Sequence, residues 1–277
     1  MASPTSAAGA LTTYKLGFTT SVSGGMAGDT GSVMTITLPA GTSLANFTNG
    51  KVMVGTNELG FCTDPTTTTA TCFLFSGNTI GASKAVVILL NGVTNPKTTS
   101  TTDTLKFTTS SDPTTVTSPT YAITAAHSLG TVPVSLSSSL PGATGVTYKL
   151  SVKTSASGGL AGDTGSSINI GLPSGTDLTN FSTNSVMVGT TQVGFCSHPS
   201  GTAVKCQLYS GVTVAANTTA AVSFGGIKNP ATAATYTASV STTSDPAVKK
   251  SAGYCVVAAG VPCIATVAPR PAESAPP

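Results

Sequence analysis

The chain has 277 residues with a net charge of +3, and 8% of them are charged, against roughly 25% in an average soluble protein. Hydrophobic residues make up 39%, which supplies cores and excludes a chain that is disordered through low hydrophobicity and high charge. The few cations form no basic patch, and the longest apolar run, 85–90, is far shorter than a membrane-spanning helix. We therefore expect neither a nucleic-acid partner nor a membrane span.

Strand patterns dominate the first half of the chain. Tyr14, Leu16 and Phe18 alternate with polar or small residues, which is the period-2 pattern of a half-buried β-strand. Turn residues separate similar short patterns at the regular spacing that is typical of an all-β sandwich. Residues 42–47 are the one segment that could form a helical turn. The further predicted strands are 34–38, 52–54, 59–62, 72–75, 86–90, 105–109 and 121–124.

The second half of the chain repeats the first. Tyr-Lys-Leu at 14–16 recurs at 148–150, and Ala-Gly-Asp-Thr-Gly-Ser at 27–32 recurs at 161–166. Roughly half of the positions between 14 and 96 are identical in the two copies. We therefore predict an all-β chain of two tandem immunoglobulin-like β-sandwich modules, related by an internal repeat of about 134 residues.

Composition divides the chain further. Residues 131–134 are alternatively the last strand of the first module, and the end of the chain is expected to be a semi-rigid extended spacer because it is rich in Pro and Ala. The predicted parts are β-sandwich module 1 (3–126), a Ser/Pro/Gly-rich connector (127–144), β-sandwich module 2 (145–266) and a Pro/Ala-rich tail (267–277).

Six cysteines fall in three close pairs, and none has the C-x-x-C spacing of a zinc or redox site. An even number in a charge-poor chain rich in Thr and Ser predicts three local disulfides and a secreted or cell-surface location. The first two are each expected to staple a β-hairpin and to stabilise it by about 2–3 kcal/mol. The predicted pairs are Cys62 with Cys72, Cys196 with Cys206, and Cys255 with Cys263.

Residues 1–11 lack the basic and apolar regions of a signal peptide. If the protein is exported, we expect the sequence to be a mature segment with an added Met, or a fragment of something longer.

Two acidic residues mark the longest identity between the copies. Asp29 and Asp163 lie in the Ala-Gly-Asp-Thr-Gly-Ser stretch, which predicts a hairpin-type loop where Gly supplies positive φ and Asp caps its own backbone. The alternative is a loop site that binds a cation or a partner. One carboxylate is too few for a tight calcium site, which needs six to eight oxygen ligands, so we predict no metal and no cofactor.

Catalytic residues do not recur as a set. No nucleophile, base and orienting group stand together in both copies, so we predict a protein that is not an enzyme.

An amide cross-link between Lys15 and Asn95, repeated in the second copy, is an alternative role for these two shared residues. Tyr14 and Leu16 claim the inward face of their strand, however, and this leaves Lys15 directed at solvent.

Several short motifs carry a resemblance to a known group of proteins. They are Tyr-x-Leu-x-Phe-Thr-Thr at 14–20, Gly-Asp-Thr-Gly-Ser at 28–32, Leu-Pro-x-Gly-Thr at 38–42, Gly-Phe-Cys at 60–62 and Gly-Val-Thr-Asn-Pro at 92–96. Together they resemble the tandem immunoglobulin-like β-sandwich repeats of large secreted bacterial surface proteins. The resemblance covers nearly the whole chain, and it implies a role as an adhesin, a stalk or a part of an envelope layer.

These observations predict a non-enzymatic extracellular protein with a structural or adhesive role at the cell surface. Its expected partners are other copies of itself, or cell-surface proteins and glycans. One alternative is a self-assembling subunit of an extracellular filament or surface layer, in which 3–13 or the Pro-rich tail adds a strand to a neighbour's edge. A second alternative is a carbohydrate-binding module of a larger secreted protein, which the absence of Trp argues against.

Overall fold

The computed structural model describes residues 2–64 and 66–262. In this part of the chain the first copy of the repeat forms thirteen strands and one 3₁₀ turn, Gly28–Thr30. The strands are β1 (Ala2–Ser3), β2 (Leu11–Thr19), β3 (Met26–Ala27), β4 (Val33–Thr37), β5 (Asn49–Val54), β6 (Asn57–Thr63), β7 (Thr69–Leu74), β8 (Thr79–Ile80), β9 (Ala85–Thr94), β10 (Ser100–Asp103), β11 (Lys106–Thr109), β12 (Val116–Thr117) and β13 (Tyr121–Ile123).

The second copy forms the same series of elements, with its 3₁₀ turn at Gly162–Thr164. Its strands are β14 (Val134–Leu136), β15 (Val146–Lys153), β16 (Leu160–Ala161), β17 (Ser167–Gly171), β18 (Ser182–Val188), β19 (Thr191–Ser200), β20 (Ala203–Leu208), β21 (Thr213–Val214), β22 (Thr219–Ile227), β23 (Ala234–Tyr236), β24 (Ser239–Thr242), β25 (Lys249–Lys250) and β26 (Tyr254–Val256).

Each copy builds one curled sheet of nine strands. The order is β1-β2-β9-β5-β6-β7-β4-β11-β12 in the first copy, and the second copy has the same order with every number raised by thirteen. Short two-stranded pairs, β3 with β8 and β10 with β13, accompany the first sheet, and their counterparts accompany the second. This confirms the predicted all-β chain of two repeated sandwich-like modules. The segment 42–47 forms hydrogen-bonded turns and no helix, so the predicted helical turn is wrong.

Each sheet encloses its own core, and the alternation of side chains sets which residues enter it. In β2, Tyr14 is 2% exposed while Lys15 is exposed, as the period-2 pattern predicts. The first core gathers large apolar side chains from opposite strands, including Met34, Ile36 and Ile88. The second core is built from the equivalent positions of the second copy.

The stretch 127–144, predicted as a connector, contributes to the second sheet and its core. Val134 and Leu136 of β14 lie opposite Leu150 and Tyr148 of β15. Leu129 and Val132, 2% and 0% exposed, belong to the second core. The alternative that 131–134 forms the last strand of the first module is therefore wrong. Apolar residues in this Ser- and Pro-rich stretch explain the difference, because they bury themselves against the next sheet.

A buried tyrosine–asparagine hydrogen bond ties the edge of the first sheet together. The Tyr14 hydroxyl donates to Oδ1 of Asn95 over 2.9 Å, and Nδ2 of Asn95 donates to the carbonyl of Ala7 over 2.9 Å. Asn95 is 0% exposed. Burial raises the pKa of Tyr14, so this hydroxyl stays a proton donor. The Asn95 amide is thus engaged by Tyr14 on the inner face, whereas Lys15 lies on the outer face of β2, an arrangement that does not favour the amide cross-link.

The second sheet repeats this bond. The Tyr148 hydroxyl donates to Oδ1 of Asn229 over 2.9 Å, and Nδ2 of Asn229 donates to the carbonyls of Ser138 and Leu140, both at 2.9 Å. Burial raises the pKa of Tyr148 to about 12, with the nearby Tyr254 hydroxyl partly opposing the shift. In both copies the asparagine therefore links the sheet to the segment that leads into it.

Two disulfides staple equivalent hairpins. Cys62 of β6 is bonded to Cys72 directly opposite on β7, with Cα atoms 3.9 Å apart. Cys196 and Cys206 join β19 to β20 in the same way, with Cα atoms 3.8 Å apart. The predicted pairing of Cys255 with Cys263 ends at a residue outside the described part of the chain, and it stays a prediction.

We expect Tyr14→Phe to lower the free energy of unfolding by about 1–3 kcal/mol, because it leaves the buried Asn95 oxygen without a donor. Tyr148→Phe should have a similar effect through Asn229. The measurement is urea unfolding of each variant, read as a shift in midpoint at constant slope. Tyr209→Phe is the matched control, since that ring is 40% exposed and its loss of a hydroxyl should change stability by less than about 0.5 kcal/mol. Equal shifts in all three variants would contradict the role given to the buried bond.

Candidate functional site

Each module exposes stacked aromatic rings on its disulfide-stapled hairpin. In the first module, Phe61 of β6 and Phe75 directly after β7 are 41% and 40% exposed, and their ring centroids lie 5.7 Å apart. Phe73 of β7 lies opposite Phe61, with centroids 5.6 Å apart. Exposed clusters of large apolar side chains commonly mark surfaces that contact other molecules.

The second module presents an aromatic pair at the equivalent positions of the repeat. Phe195 and Tyr209 are 42% and 40% exposed, and their rings stack with centroids 5.9 Å apart. The side-chain amide of Gln192 donates to the Tyr209 hydroxyl over 2.8 Å. We call Phe61 with Phe75, and Phe195 with Tyr209, the aromatic pairs.

The disulfides decide which way these rings point. Successive side chains of a strand face opposite sides of the sheet. Cys62 and Cys72 are buried in the core, so Phe61 and Phe73, their neighbours in β6 and β7, lie on the outer face. The sequence contains this signal in Gly-Phe-Cys at 60–62 and 194–196, because a cysteine committed to a core disulfide places the adjacent phenylalanine outside. Gly-Phe-Cys serves above only as a motif of the repeat and of the resemblance, and the exposed rings are not among the predicted site residues.

The Ala-Gly-Asp-Thr-Gly-Ser stretch braces the loop that follows each aromatic pair. Oδ1 of Asp29 accepts hydrogen bonds from the Ser76 hydroxyl at 2.6 Å and the Gly77 amide at 3.0 Å. Gly31 has a φ of 69°, as a glycine in this position allows. The stretch forms a 3₁₀ turn between β3 and β4. Asp29 thus caps the backbone of a distant loop, and the prediction that it caps its own backbone is wrong.

Asp163 makes the same contacts in the second module. Its Oδ1 accepts from the Ser210 hydroxyl at 2.5 Å and from the Gly211 amide at 3.0 Å. These bonds, led by that of the serine hydroxyl, hold the pKa of Asp163 below its usual range, and Ser76 and Gly77 do the same for Asp29. The structure thus places the two predicted loop residues next to the loops that follow the aromatic pairs. Their carboxylates accept hydrogen bonds from those loops.

Asp112 and Asp245 are a second pair of aspartates at equivalent positions of the repeat, and they also serve the fold. Oδ1 of Asp112 accepts from the Ser21 hydroxyl at 2.6 Å, and Asp245 accepts from the Ser155 amide at 3.1 Å. Among residues 2–64 and 66–262, no three His, Cys, Asp or Glu side chains come together as metal ligands would. The same part of the chain contains no helix that is long and apolar enough to cross a membrane.

Two open cavities have no ring of the aromatic pairs among their lining residues. A cleft of about 510 Å³ is lined by residues of both modules, among them Thr48 and Gly165, and beside it the Leu11 amide donates to the carbonyl of Thr243 over 2.9 Å. A more apolar groove of about 580 Å³ lies wholly in the first module, with Leu16 and Phe107 in its walls. Neither cavity contains a set of groups that could carry out catalysis.

No protein-family model matches the sequence, and no curated protein matches it either. Among solved structures, the N-terminal domain of the Streptococcus gordonii adhesin Sgo0707 is 10% identical, with 81% of this chain matched to 56% of that one and a TM-score of 0.34. The C-terminal domain of the Streptococcus pyogenes antigen I/II-family protein AspA is 10% identical, covering 91% and 93% of the two chains, with a TM-score of 0.33. The serine-rich repeat protein Srr2 of Streptococcus agalactiae is 14% identical, covering 83% and 80%, with a TM-score of 0.28. Similarity at this level does not assign a function.

We expect Asp29→Ala to loosen the loop after Phe75, because the Ser76 hydroxyl and the Gly77 amide lose their shared acceptor. Hydrogen exchange followed by NMR should show faster exchange of the Gly77 amide, while Gly211 in the unaltered module serves as the internal control. Because the folded-state pKa of Asp29 is lowered, this contact is complete above the ordinary carboxyl pKa and is lost as the pH falls through the lowered value. Unchanged protection of Gly77 in the variant would show that Asp29 does not brace the loop.

Proposed function

We propose that this chain is a non-enzymatic extracellular protein that adheres to surfaces through its aromatic pairs. The observation that carries the proposal is their repetition: both modules expose two stacked rings on the outer face of the same hairpin. Burying these rings in the fold would stabilise the protein, since each large apolar side chain contributes roughly 1.5–3 kcal/mol on burial. Rings kept exposed in both copies are best explained by contact with another molecule.

The hairpins offer these rings on a rigid base. Each aromatic pair lies on two strands that are joined by a disulfide. The loop after the pair is held by the aspartate of the 3₁₀ turn, Asp29 or Asp163. A surface that is ordered before binding loses less conformational entropy on binding. The disulfides also support an extracellular location, because such bonds persist in oxidising compartments.

Cell-surface glycans are the ligand class that we favour. The face of a stacked ring suits the apolar face of a sugar, and the Gln192 amide beside Tyr209 can hydrogen-bond to a hydroxyl. A chain with 8% charged residues offers few of the charged contacts that acidic or basic protein partners would use. The carbohydrate-binding alternative thus gains support from exposed Phe and Tyr in a chain without Trp.

The test is to replace the aromatic pairs and to measure binding to immobilised glycans. The glycans to follow are those that bind the unaltered chain. We expect Phe61→Ser with Phe75→Ser, or Phe195→Ser with Tyr209→Ser, to weaken binding to these glycans by about tenfold or more. The combined variant should lose it, because two linked sites reinforce each other. Val22→Ser is the matched control, since Val22 is 89% exposed and lies elsewhere. Full binding by the combined variant, with an unchanged unfolding midpoint, would refute the proposal.

A further inference from the structure

The apolar groove of the first module lies between β2 and the segment around β11 and β12. Its walls include Leu16, Gly17 and Phe18 on one side and Phe107 and Val116 on the other. Leu16 and Phe18 are only partly buried, and Val116 is 61% exposed. Side chains that a sandwich normally encloses are therefore open to an incoming group at this place.

The same place in the second module is closed. Leu150 and Val152, which correspond to Leu16 and Phe18, are 2% and 0% exposed. Leu129 and Val132, from the stretch that leaves the first module, share their hydrophobic core. A segment that follows one module thus completes the core of the next.

Backbone hydrogen bonds show that this segment occupies the equivalent groove. The Ser151 amide donates to the carbonyl of Pro133 at 3.1 Å, and the Ala252 amide donates to the carbonyl of Val132 at 2.9 Å. When the two copies are aligned, Gly17 and Pro119 stand at the positions of Ser151 and Ala252. Both of these residues line the open groove of the first module.

The sequence after the second module resembles the segment that closes this groove. Leu-Gly-Thr-Val at 129–132 follows the last strand of the first module, β13. Ile-Ala-Thr-Val at 264–267 follows the last strand of the second, β26, two residues further along the chain than the alignment of the repeats would place it. In both segments the first and fourth residues are branched and apolar. Residues 264–267 lie outside the described part of the chain, whose last residue is Pro262.

We propose that residues 264–269 of one copy of the chain bind in the open groove of the first module of a second copy. Ile264 and Val267 then take the places that Leu129 and Val132 take within the chain. Contact of this head-to-tail kind repeats from copy to copy and builds an open chain of molecules. This inference goes beyond the adhesive function proposed above and does not depend on the aromatic pairs.

The edge of the first sheet limits how much of the segment can bind. β1 begins at Ala2, which pairs with Tyr14 as Leu136 pairs with Tyr148. Residues 264–269, in the places of 129–134, can therefore lie along the groove up to the point where β1 begins. Residues that follow them would meet β1. We accordingly expect 264–269 to bind and 270–277 to remain outside the groove.

Two differences make binding between copies weaker than closure within the chain. Phe107 stands where the second module has Val240, and its larger ring packs against Phe18 with the centroids 4.3 Å apart, which leaves less room for an added segment. Pro119 has no amide hydrogen to repeat the bond of Ala252. Association through this groove should therefore be reversible and should depend on concentration.

The first test is the solution mass of the oxidised chain over a range of concentrations, measured by light scattering. The full chain and a variant that ends at Pro269 should form dimers and longer species as concentration rises. A variant that ends at Cys263 should stay a monomer and should bind a labelled peptide of residues 264–269. A scrambled peptide is the control. A full chain that stays monomeric, whether or not the peptide binds the shortened variant, would overturn assembly between copies.

The second test uses two substitutions that block opposite partners in the contact. Val267→Asp damages the segment, and Val116→Asp damages the groove at an exposed position where folding should be unaffected. Each variant alone should be monomeric, and their mixture should form one-to-one dimers and nothing longer, because only one intact segment and one intact groove can meet. Placing aspartate at a valine that the proposed contact would bury should weaken that contact by about tenfold or more. Long assemblies of either single variant would refute the proposal.

Discussion

The hydrogen bond between a buried tyrosine and a buried asparagine is the constraint on which each sheet depends. Tyr14 lies in β2, and Asn95 directly follows β9, the strand paired with β2, so their bond adds a buried side-chain link to this pair of strands. The other end of the Asn95 amide holds the carbonyl of Ala7 and thus the entering segment. A buried polar pair stabilises the fold strongly when all of its donors and acceptors have partners, and much less when one of them has none. The same bond recurs between Tyr148 and Asn229 in the second copy.

A disulfide-linked hairpin carries the exposed rings of each module. The hairpin of β6 and β7 places Cys62 directly opposite Cys72 in the core, and the alternation of side chains directs Phe61 outward. The turn that carries Asp29 then reaches the loop after Phe75. The aromatic pair and the aspartate that supports its loop are therefore adjacent in space, although 47 residues or more separate Asp29 from Ser76 and Gly77 along the chain.

Much of this architecture could be predicted from the sequence, because alternation and repetition are local signals. Tyr14, Leu16 and Phe18 show the strand, and the recurrence of 27–32 at 161–166 shows the repeat. The partner of Asp29 could not be predicted, since Ser76 is brought to it only by the order of strands in the sheet. The position of Leu129 and Val132 was hidden for a related reason. A Ser- and Pro-rich stretch has the composition of a linker, and only the groove of the next sheet makes its apolar residues part of a core.

The contribution of Leu129 and Val132 to the second core also bears on how such repeats can be exchanged in evolution. The second core takes side chains from Leu129 onward, whereas the sequence identity between the copies begins near 145. A gene rearrangement that cuts at the boundary of sequence identity would separate a core from two of its own side chains. A break before Leu129 would keep both side chains with the core that they join. Rearrangements that preserve folding should therefore have their breakpoints at the start of the Ser- and Pro-rich stretch, before Leu129.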